Sequence, residues 1–252
     1  MTEENRFAGV ERLYGREGFA AIQSAHFIVV GVGGVGSWAA EALARTGVIH
    51  LTLIDMDCVA VTNTNRQLQA LDGNYGKPKI EVLETRFLKI NPELELTLIQ
   101  RRLTEENVSE MIAPGAYVLD CIDEVRSKAA LIDFCRKNGN FIVTSGGAGG
   151  RVDPGRIQSA DLSRVKGDPL LSSVRQRLRK SYGFPSGAGK PTPFHILSVF
   201  TDEPMRQSRG AEREQKSAEG EAFAGFGTAA VVTAAMGMHC AALAVNALVQ
   251  SK

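Results

Sequence analysis

The stretch His26–Asp57, HFIVVGVGGVGSWAAEALARTGVIHLTLIDMD, constrains this chain more than any other. An apolar run, a turn with four glycines, a run with helical spacing and a second apolar run follow one another there. Together they have the length of one β–α–β unit, about 30 residues. Gly31, Gly33 and Gly34 remove side chains where backbone would approach an anion, and Gly36 lets the helix pack closely on the strand. The helix that starts there turns unpaired N–H groups and the positive end of its dipole toward the glycines. Asp55 ends the second strand, where a carboxylate accepts hydrogen bonds from ribose hydroxyls. The pattern predicts a bound nucleotide; up to this residue a redox dinucleotide and ATP satisfy it equally.

The same alternation continues to about residue 150. A helix opened by Pro78 and stopped by Pro92 is followed by the strand LELTLIQ and by a short helix capped by Thr104 and ended at Pro114–Gly115. The strand AYVLDCID, the helix EVRSKAALIDFCRKNG and the run FIVTSGGAGG complete the series. Alternation of this kind predicts an α/β, Rossmann-like fold: a mostly parallel, twisted sheet with helices on both faces. The pattern weakens after Arg151, which places a boundary near Gln158 between a nucleotide-binding part, residues 1–158, and a smaller C-terminal part, residues 159–252. Residues 201–221 are polar and mixed in charge, and are expected to form a mobile surface loop. Gly227–Val249 is almost long enough to cross a membrane, but its alanines together with Thr228, Thr233, His239 and Asn246 favour a buried core helix.

Composition excludes little except global charge. Twenty-nine Lys and Arg against 28 Asp and Glu leave a net charge of +1, so any attraction to a polyanion must be local. The four cysteines, Cys58, Cys121, Cys135 and Cys240, form no C-x-x-C pair, and no basic-then-apolar leader opens the chain. Both features predict a reducing, cytoplasmic compartment and no structural zinc.

The residues after Asp55 separate the two nucleotides. DMDCVAVTNTNRQ supplies Asp57, Asn63, Arg66 and Gln67, and GKPK adds Lys79 at a helix start. A dehydrogenase that keeps its pyrophosphate intact needs few cations there, whereas cleavage between the α and β phosphates needs fixed donors for the charge on departing pyrophosphate. Arg66 and Lys79 suit that task as the catalytic cations, and Asp123 in DCID, at the carboxyl end of a later strand, suits Mg2+. Each of the three alone reads more readily as a solvated surface charge; in this order, together, they favour ATP.

These motifs, GVGGVG, IDMD, NTNRQ, GKPK and DCID, resemble the ubiquitin-activating-like superfamily of adenylating enzymes, which includes ThiF and MoeB. The resemblance implies a homodimer that binds ATP and Mg2+ and joins a carboxylate to AMP. It assigns the ribose to Asp55, the phosphates to Asn63, Arg66 and Gln67, the α-phosphate region to Lys79 and the metal to Asp123. It also implies an N-terminal arginine reaching the partner subunit's phosphates, for which Arg6 and Arg12 are the candidates, although the usual R-Q pair is missing.

RLYG, VTNTNRQ, INPE, KAALIDFCR, TSGGAGGRVDP, DPL and GFGTAAVVTA further resemble the branch of that superfamily that dehydrates threonylcarbamoyladenosine in tRNA. There ATP activates the carboxylate of the modified nucleoside, the nucleoside's own carbamoyl group closes a ring, and AMP leaves. The branch implies tRNA and not DNA as partner, association with sulfur-metabolism proteins such as a cysteine desulfurase system, and a monovalent cation, K+ or Na+, as an open question. The alternative is adenylation of the C-terminus of a sulfur-carrier or ubiquitin-like protein, against which the missing C-x-x-C pairs speak. For tRNA, DPLLSSVRQRLRKSYG sets Leu170, Val174, Leu178 and Tyr182 on one helical stripe and Arg175, Arg177, Arg179 and Lys180 off it. Seven basic residues against one acidic between Arg164 and Lys190 make this the expected phosphate-backbone contact; a solvated amphipathic helix is the plainer alternative.

Overall fold

The first strand, β1 (His26–Val30), feeds the glycine turn and helix α2 (Gly36–Arg45), and the chain returns as β2 (His50–Ile54). The computed structural model describes residues 5–186, 192–206 and 226–250. Ahead of β1 lies α1 (Ala8–Ser24), interrupted at Gly15 by a φ of 73°. After β2 come α3 (Lys79–Ile90), β3 (Glu95–Ile99), α4 (Val108–Met111), β4 (Tyr117–Asp120), α5 (Val125–Asn138) and β5 (Ile142–Ser145). The chain ends with β6 (Ile157–Asp161), α6 (Pro169–Ser181), β7 (Leu197–Thr201) and α7 (Ala230–Gln250).

The strands form one sheet in the order β3-β2-β1-β4-β5-β7-β6, parallel except for β6. The chain moves outward from β1 through β2 to β3, then returns to pair β4 against the other side of β1. A crevice opens where the order reverses, at the carboxyl ends of β1 and β4, and this is where open α/β sheets bind ligands. The central strands are buried on both faces, with Phe27 to Val30 and Val118 to Asp120 all inaccessible, as parallel strands covered by helices require.

The expected boundary at Gln158 falls inside β6, and the residues beyond it extend the same sheet through β7. α7 packs along α2 so closely that a Cβ at Gly237 would lie 2.3 Å from the Val35 carbonyl oxygen. By length and composition α7 could cross a membrane; here half of it is buried, with Val232, Met236, Cys240, Ala244 and Leu248 in the core. Two expectations are corrected. α4 begins at Val108 with Asn107 as its N-cap, three residues later than expected, and no side chain caps it; the Asn107 side chain accepts instead from the Thr104 N–H. The start of the expected loop is structured: Thr201 ends β7, and buried Glu203 accepts from the Val152 and Asp153 N–H groups at 2.9 Å. Residues 207–221 of that loop lie outside the described residues.

One charge pair sits in the core beneath the crevice. Asp120 at the end of β4 and Lys128 in α5 meet at 3.0 Å with both side chains wholly inaccessible. Thr144 of β5 donates to the same carboxylate at 2.6 Å, and Lys128 also donates to the carbonyls of Asp120 and Ile122. Burial raises the carboxyl's pKa and the neighbouring ammonium opposes it. Removing one member strands the other in a low dielectric. Lys128→Met is therefore expected to cost about 3–5 kcal/mol in urea unfolding; a loss below about 1 kcal/mol would show the carboxylate to be satisfied without the lysine.

Candidate active site

The glycines of the turn divide the work differently from the sequence reading. Gly31 has a φ of +82°, and a Cβ there would lie 2.9 Å from the Cys121 carbonyl oxygen. A Cβ at Gly36 would fall 1.8 Å from the Gly31 carbonyl oxygen, so this residue fixes the approach of α2 to β1, as expected. Gly34 is packed under Thr233 of α7 and the stem of Arg66. Gly33 alone of the four has nothing nearer than the Gln67 amide at 3.9 Å. The close backbone approach to a ligand expected at three glycines is thus best provided at Gly33. No side chain caps α2; its Ser37 N–H is taken by the Gly33 carbonyl at 3.1 Å, and the positive end of the helix dipole still faces the glycine turn.

Asp55 stands at the exit of β2 and organises the turn. Its Oδ2 accepts from the Val32 N–H at 2.7 Å and its Oδ1 from the Asp57 N–H at 2.8 Å. A carboxylate has about four acceptor positions, which leaves two for ribose hydroxyls. Burial pushes its pKa up, and Lys79 holds it back. Lys79, nearly buried at the first residue of α3, pairs with exposed Asp57 at 2.7 Å. Pro78 immediately before it starts the helix and so sets the lysine's position.

Asn63 is buried and folds back on its own loop, its Oδ1 accepting from the Ala60 N–H at 3.0 Å. Arg66 donates to the Thr62 carbonyl and the Asn65 side chain at 3.0 and 2.9 Å. Gln67 is buried, its carbonyl held by Gln69, which also donates to the Val32 carbonyl of the glycine turn at 2.9 Å. Asp123 is exposed just past β4, three residues from the inaccessible Asp120. Asp55, Asp57, Asn63, Arg66, Gln67 and Lys79 thus gather around the glycine turn, and Asp123 follows the strand beside it.

Other expectations separate from this cluster. Arg6 donates to the Lys89 and Ile90 carbonyls at the end of α3, a whole helix away from Lys79, while Arg12 is exposed on α1. α6 starts beside the turn after β5, one strand out from the crevice, where its N-cap Asp168 accepts from the Gly147 N–H. Of its cations only Lys180 is exposed. Arg179 lies over the Phe194 ring at 5.4 Å, near the amino end of β7. Arg175 reaches toward the Leu162 carbonyl, and burial followed by the charge of Arg179 lowers its pKa. The Arg177 Nε is buried without a hydrogen-bond partner among the described residues. Lys190 lies outside them.

Several residues that shape the site were not anticipated. Trp38 of α2 donates to the Arg66 carbonyl at 3.0 Å and fixes that residue's backbone. Arg151, with its side chain inaccessible, donates to the carbonyls of Gly147, Gly167 and Glu203 and ties the turn after β5 to its neighbours. Lys128 carried a signal: a lone cation on the face of KAALIDFC that also holds Leu131 and Cys135.

The geometry separates two glycine substitutions. Gly36→Ala is expected to destabilise the fold by more than the usual 1–3 kcal/mol of overpacking, because its Cβ meets backbone. Gly33→Ala should leave stability within about 0.5 kcal/mol and weaken ATP binding in a titration. Equal effects on stability would contradict this division.

Residues 7–251 match the ThiF family. The chain is 44% identical over 250 residues to the tRNA threonylcarbamoyladenosine dehydratase of Haemophilus influenzae, covering 99% of this chain and 95% of that protein. It is also similar to E. coli tRNA N6-threonylcarbamoyladenosine dehydratase, TcdA, crystallised with ATP, at a TM-score of 0.88 and 43% identity over 98% of this chain and 94% of the other. The same protein crystallised with AMP gives a TM-score of 0.88 and 43% identity, covering 98% and 95%. With its glycine turn, its order of strands and its full-length likeness all in agreement, the chain belongs to the ThiF family, within the branch of the tRNA threonylcarbamoyladenosine dehydratases.

Proposed function

We propose that this protein uses ATP to activate the carboxylate of threonylcarbamoyladenosine in tRNA and closes the modification into a ring with net loss of water. The observation that carries the reading is the assembly of Arg66 and the Lys79–Asp57 pair around the glycine turn, in a chain similar from end to end to a dehydratase crystallised with ATP. One carboxylate oxygen of the substrate attacks the α-phosphorus; the bond to pyrophosphate breaks and an acyl-adenylate forms. An atom of the substrate's own carbamoyl group then attacks the acyl carbon, AMP leaves, and the nucleoside has lost the elements of water. The second step is intramolecular, so proximity supplies much of its acceleration.

The chain's residues bind, orient and neutralise. Asp55 offers its remaining acceptor positions to the ribose. Gly33 and the start of α2 offer backbone N–H groups to the phosphates. Arg66, its backbone held by Trp38, and Lys79, steadied by Asp57, are the donors for charge on departing pyrophosphate. Among the described residues no three His, Cys, Asp or Glu side chains gather in a form that could hold a metal ion. Exposed Asp123 fits Mg2+ held by one carboxylate with phosphates and water, and the ion would supply further charge neutralisation. Nothing in these residues singles out a site for K+ or Na+.

A second copy is the proposed cover for Val231 and Met238, exposed on the outer face of α7, and exposed Arg12 is the candidate to reach such a partner, since Arg6 is engaged within its own chain. For tRNA, Lys180 at the end of α6 is the exposed cation of the predicted set. Partners in sulfur metabolism and a cytoplasmic location remain parts of this proposal that rest on the family alone.

Turnover is expected to yield AMP and pyrophosphate. Arg66→Ala and Lys79→Ala should each slow it by about two orders of magnitude or more, measured as pyrophosphate release with modified tRNA. ADP among the products would overturn adenylation. The thiols provide a second check. Burial pushes the Cys135 pKa up to about 12, and Cys240, hydrogen-bonded to Cys121 and buried, is likewise pushed up. Neither suits a nucleophile. Replacing all four cysteines by Ala or Ser should leave the dehydration rate within about tenfold of the parent. A folded, ATP-binding variant without turnover would favour the sulfur-carrier alternative.

A further inference from the structure

Two consecutive carbonyls tie the strap of residues 226–229 to the loops on either side of the crevice. The Gly227 carbonyl accepts from the Gly150 N–H at 2.8 Å, in the turn that follows β5. The next carbonyl, of Thr228, accepts from the Asn65 side chain at 2.9 Å, in the loop that follows β2. In the sheet β2 and β5 are separated by β1 and β4, the two strands whose carboxyl ends flank the crevice. This strap therefore joins the two loops that flank the carboxyl ends of β1 and β4. Gly150, with a φ of +71°, uses its other backbone group as well, accepting from the Arg206 N–H at 2.8 Å.

Phe226 opens the strap on its β5 side. Its Cβ lies 3.3 Å from the Cβ position of Gly149, 36% of the residue stays exposed, and the two residues after it are held by Gly150 and Asn65. The ribose acceptor Asp55 stands on the β2 side. A nucleotide anchored there with its phosphates on the glycine turn leaves the β4–β5 side for the acceptor. The acceptor brings a carboxylate attached to a purine base, and to place it at the α-phosphate the base must leave its stack in the RNA. A flat aromatic face replaces the stacking thus lost, and does so for any base.

We propose that Phe226 is the platform on which the extruded purine of the tRNA acceptor stacks, so that the strap positions the substrate carboxylate over the nucleotide. This inference rests on the tRNA reading above. It assigns Phe226 to positioning substrate rather than to either chemical step, and assigns it to the acceptor's base rather than to the adenine of ATP.

The test uses the full chain with tRNA carrying the threonylcarbamoyl group, tRNA lacking it, and ATP alone. Phe226→Leu keeps the apolar bulk and removes the flat face: KM for modified tRNA should rise about tenfold or more, equivalent to about 1.4 kcal/mol, with ATP affinity unchanged. Phe226→Tyr should restore the parent KM. Phe226→Trp reports directly, since Trp38 is the sole native tryptophan and the parent supplies the background; modified tRNA should quench the added fluorescence, and ATP alone should not. A parent-like KM for Phe226→Leu overturns the proposal, as does quenching by ATP alone, which would make Phe226 the platform for the nucleotide. If the parent itself shows no pyrophosphate release that depends on modified tRNA, the functional reading fails instead. Parent activity with an unaffected Phe226→Leu removes this inference alone.

Discussion

The ion pair between Lys128 and Asp120 is the contact on which the carboxyl end of the sheet depends. Two opposite charges without solvent access pay a desolvation penalty that attraction alone repays only when every remaining lone pair and proton is also used. Here Thr144 donates to the carboxylate, the Ile122 N–H reaches its other oxygen, and the ammonium reaches two carbonyls. The network joins β4, β5 and α5 to the turn between Asp120 and Glu124. Glu124 in turn caps α5 by accepting from the Arg126 and Ser127 N–H groups at 2.7 and 2.8 Å. Asp123, exposed between these two anchored carboxylates, is held at its backbone while its side chain stays available.

A second polar frame lies one strand further out and follows the same rule. Buried Asp168 accepts from the Gly147 N–H and caps α6 through Leu171, while Arg151 donates to three carbonyls around it. Glu203 holds the backbone on the other side. A Cβ at Gly146 would fall 2.2 Å from the Asp168 carboxylate, so this glycine after β5 admits a charged side chain rather than an anionic ligand, while Gly150 meets the Arg206 backbone. The two glycine runs thus look alike in sequence and differ in use: the first leaves Gly33 open, the second is filled from within.

That difference marks how far the sequence could be read. Periodicity and glycine spacing were enough for the α/β class and the parallel strands, because local patterning and backbone geometry decide those features; the residues around the first turn came from the charges that follow Asp55 and from the family resemblance. The strand order beyond β5 was not legible, since nothing local tells an antiparallel edge strand such as β6 from a separate part. The basic stripe of α6 shows a related limit. Charge counts do not say where a side chain spends its length, and Arg179 spends its on the Phe194 ring. Arg6 was likewise a charge with an internal use, at the end of α3. Contacts between residues far apart in the chain, Asn65 with Thr228 or Arg151 with Glu203, leave no periodic trace at all.

The cations around the glycine turn are already in place before any phosphate arrives. Lys79 is held by Asp57, and Arg66 by Thr62, Asn65 and the Trp38 bond to its backbone. Such partners lower the net field on an incoming nucleotide, which costs ground-state affinity. They also spare the protein from ordering two long side chains when charge develops on the leaving pyrophosphate, and electrostatic stabilisation is effective to the degree that it needs no reorganisation at that moment. The strap adds to the same economy from above. Asn65 bonds both Arg66 and Thr228, so one side chain connects the cation proposed for the phosphates to the backbone proposed for the acceptor side. A substrate that displaced the strap would disturb Arg66 as well, which makes correct seating of the acceptor and correct placement of the charge donor parts of one geometry.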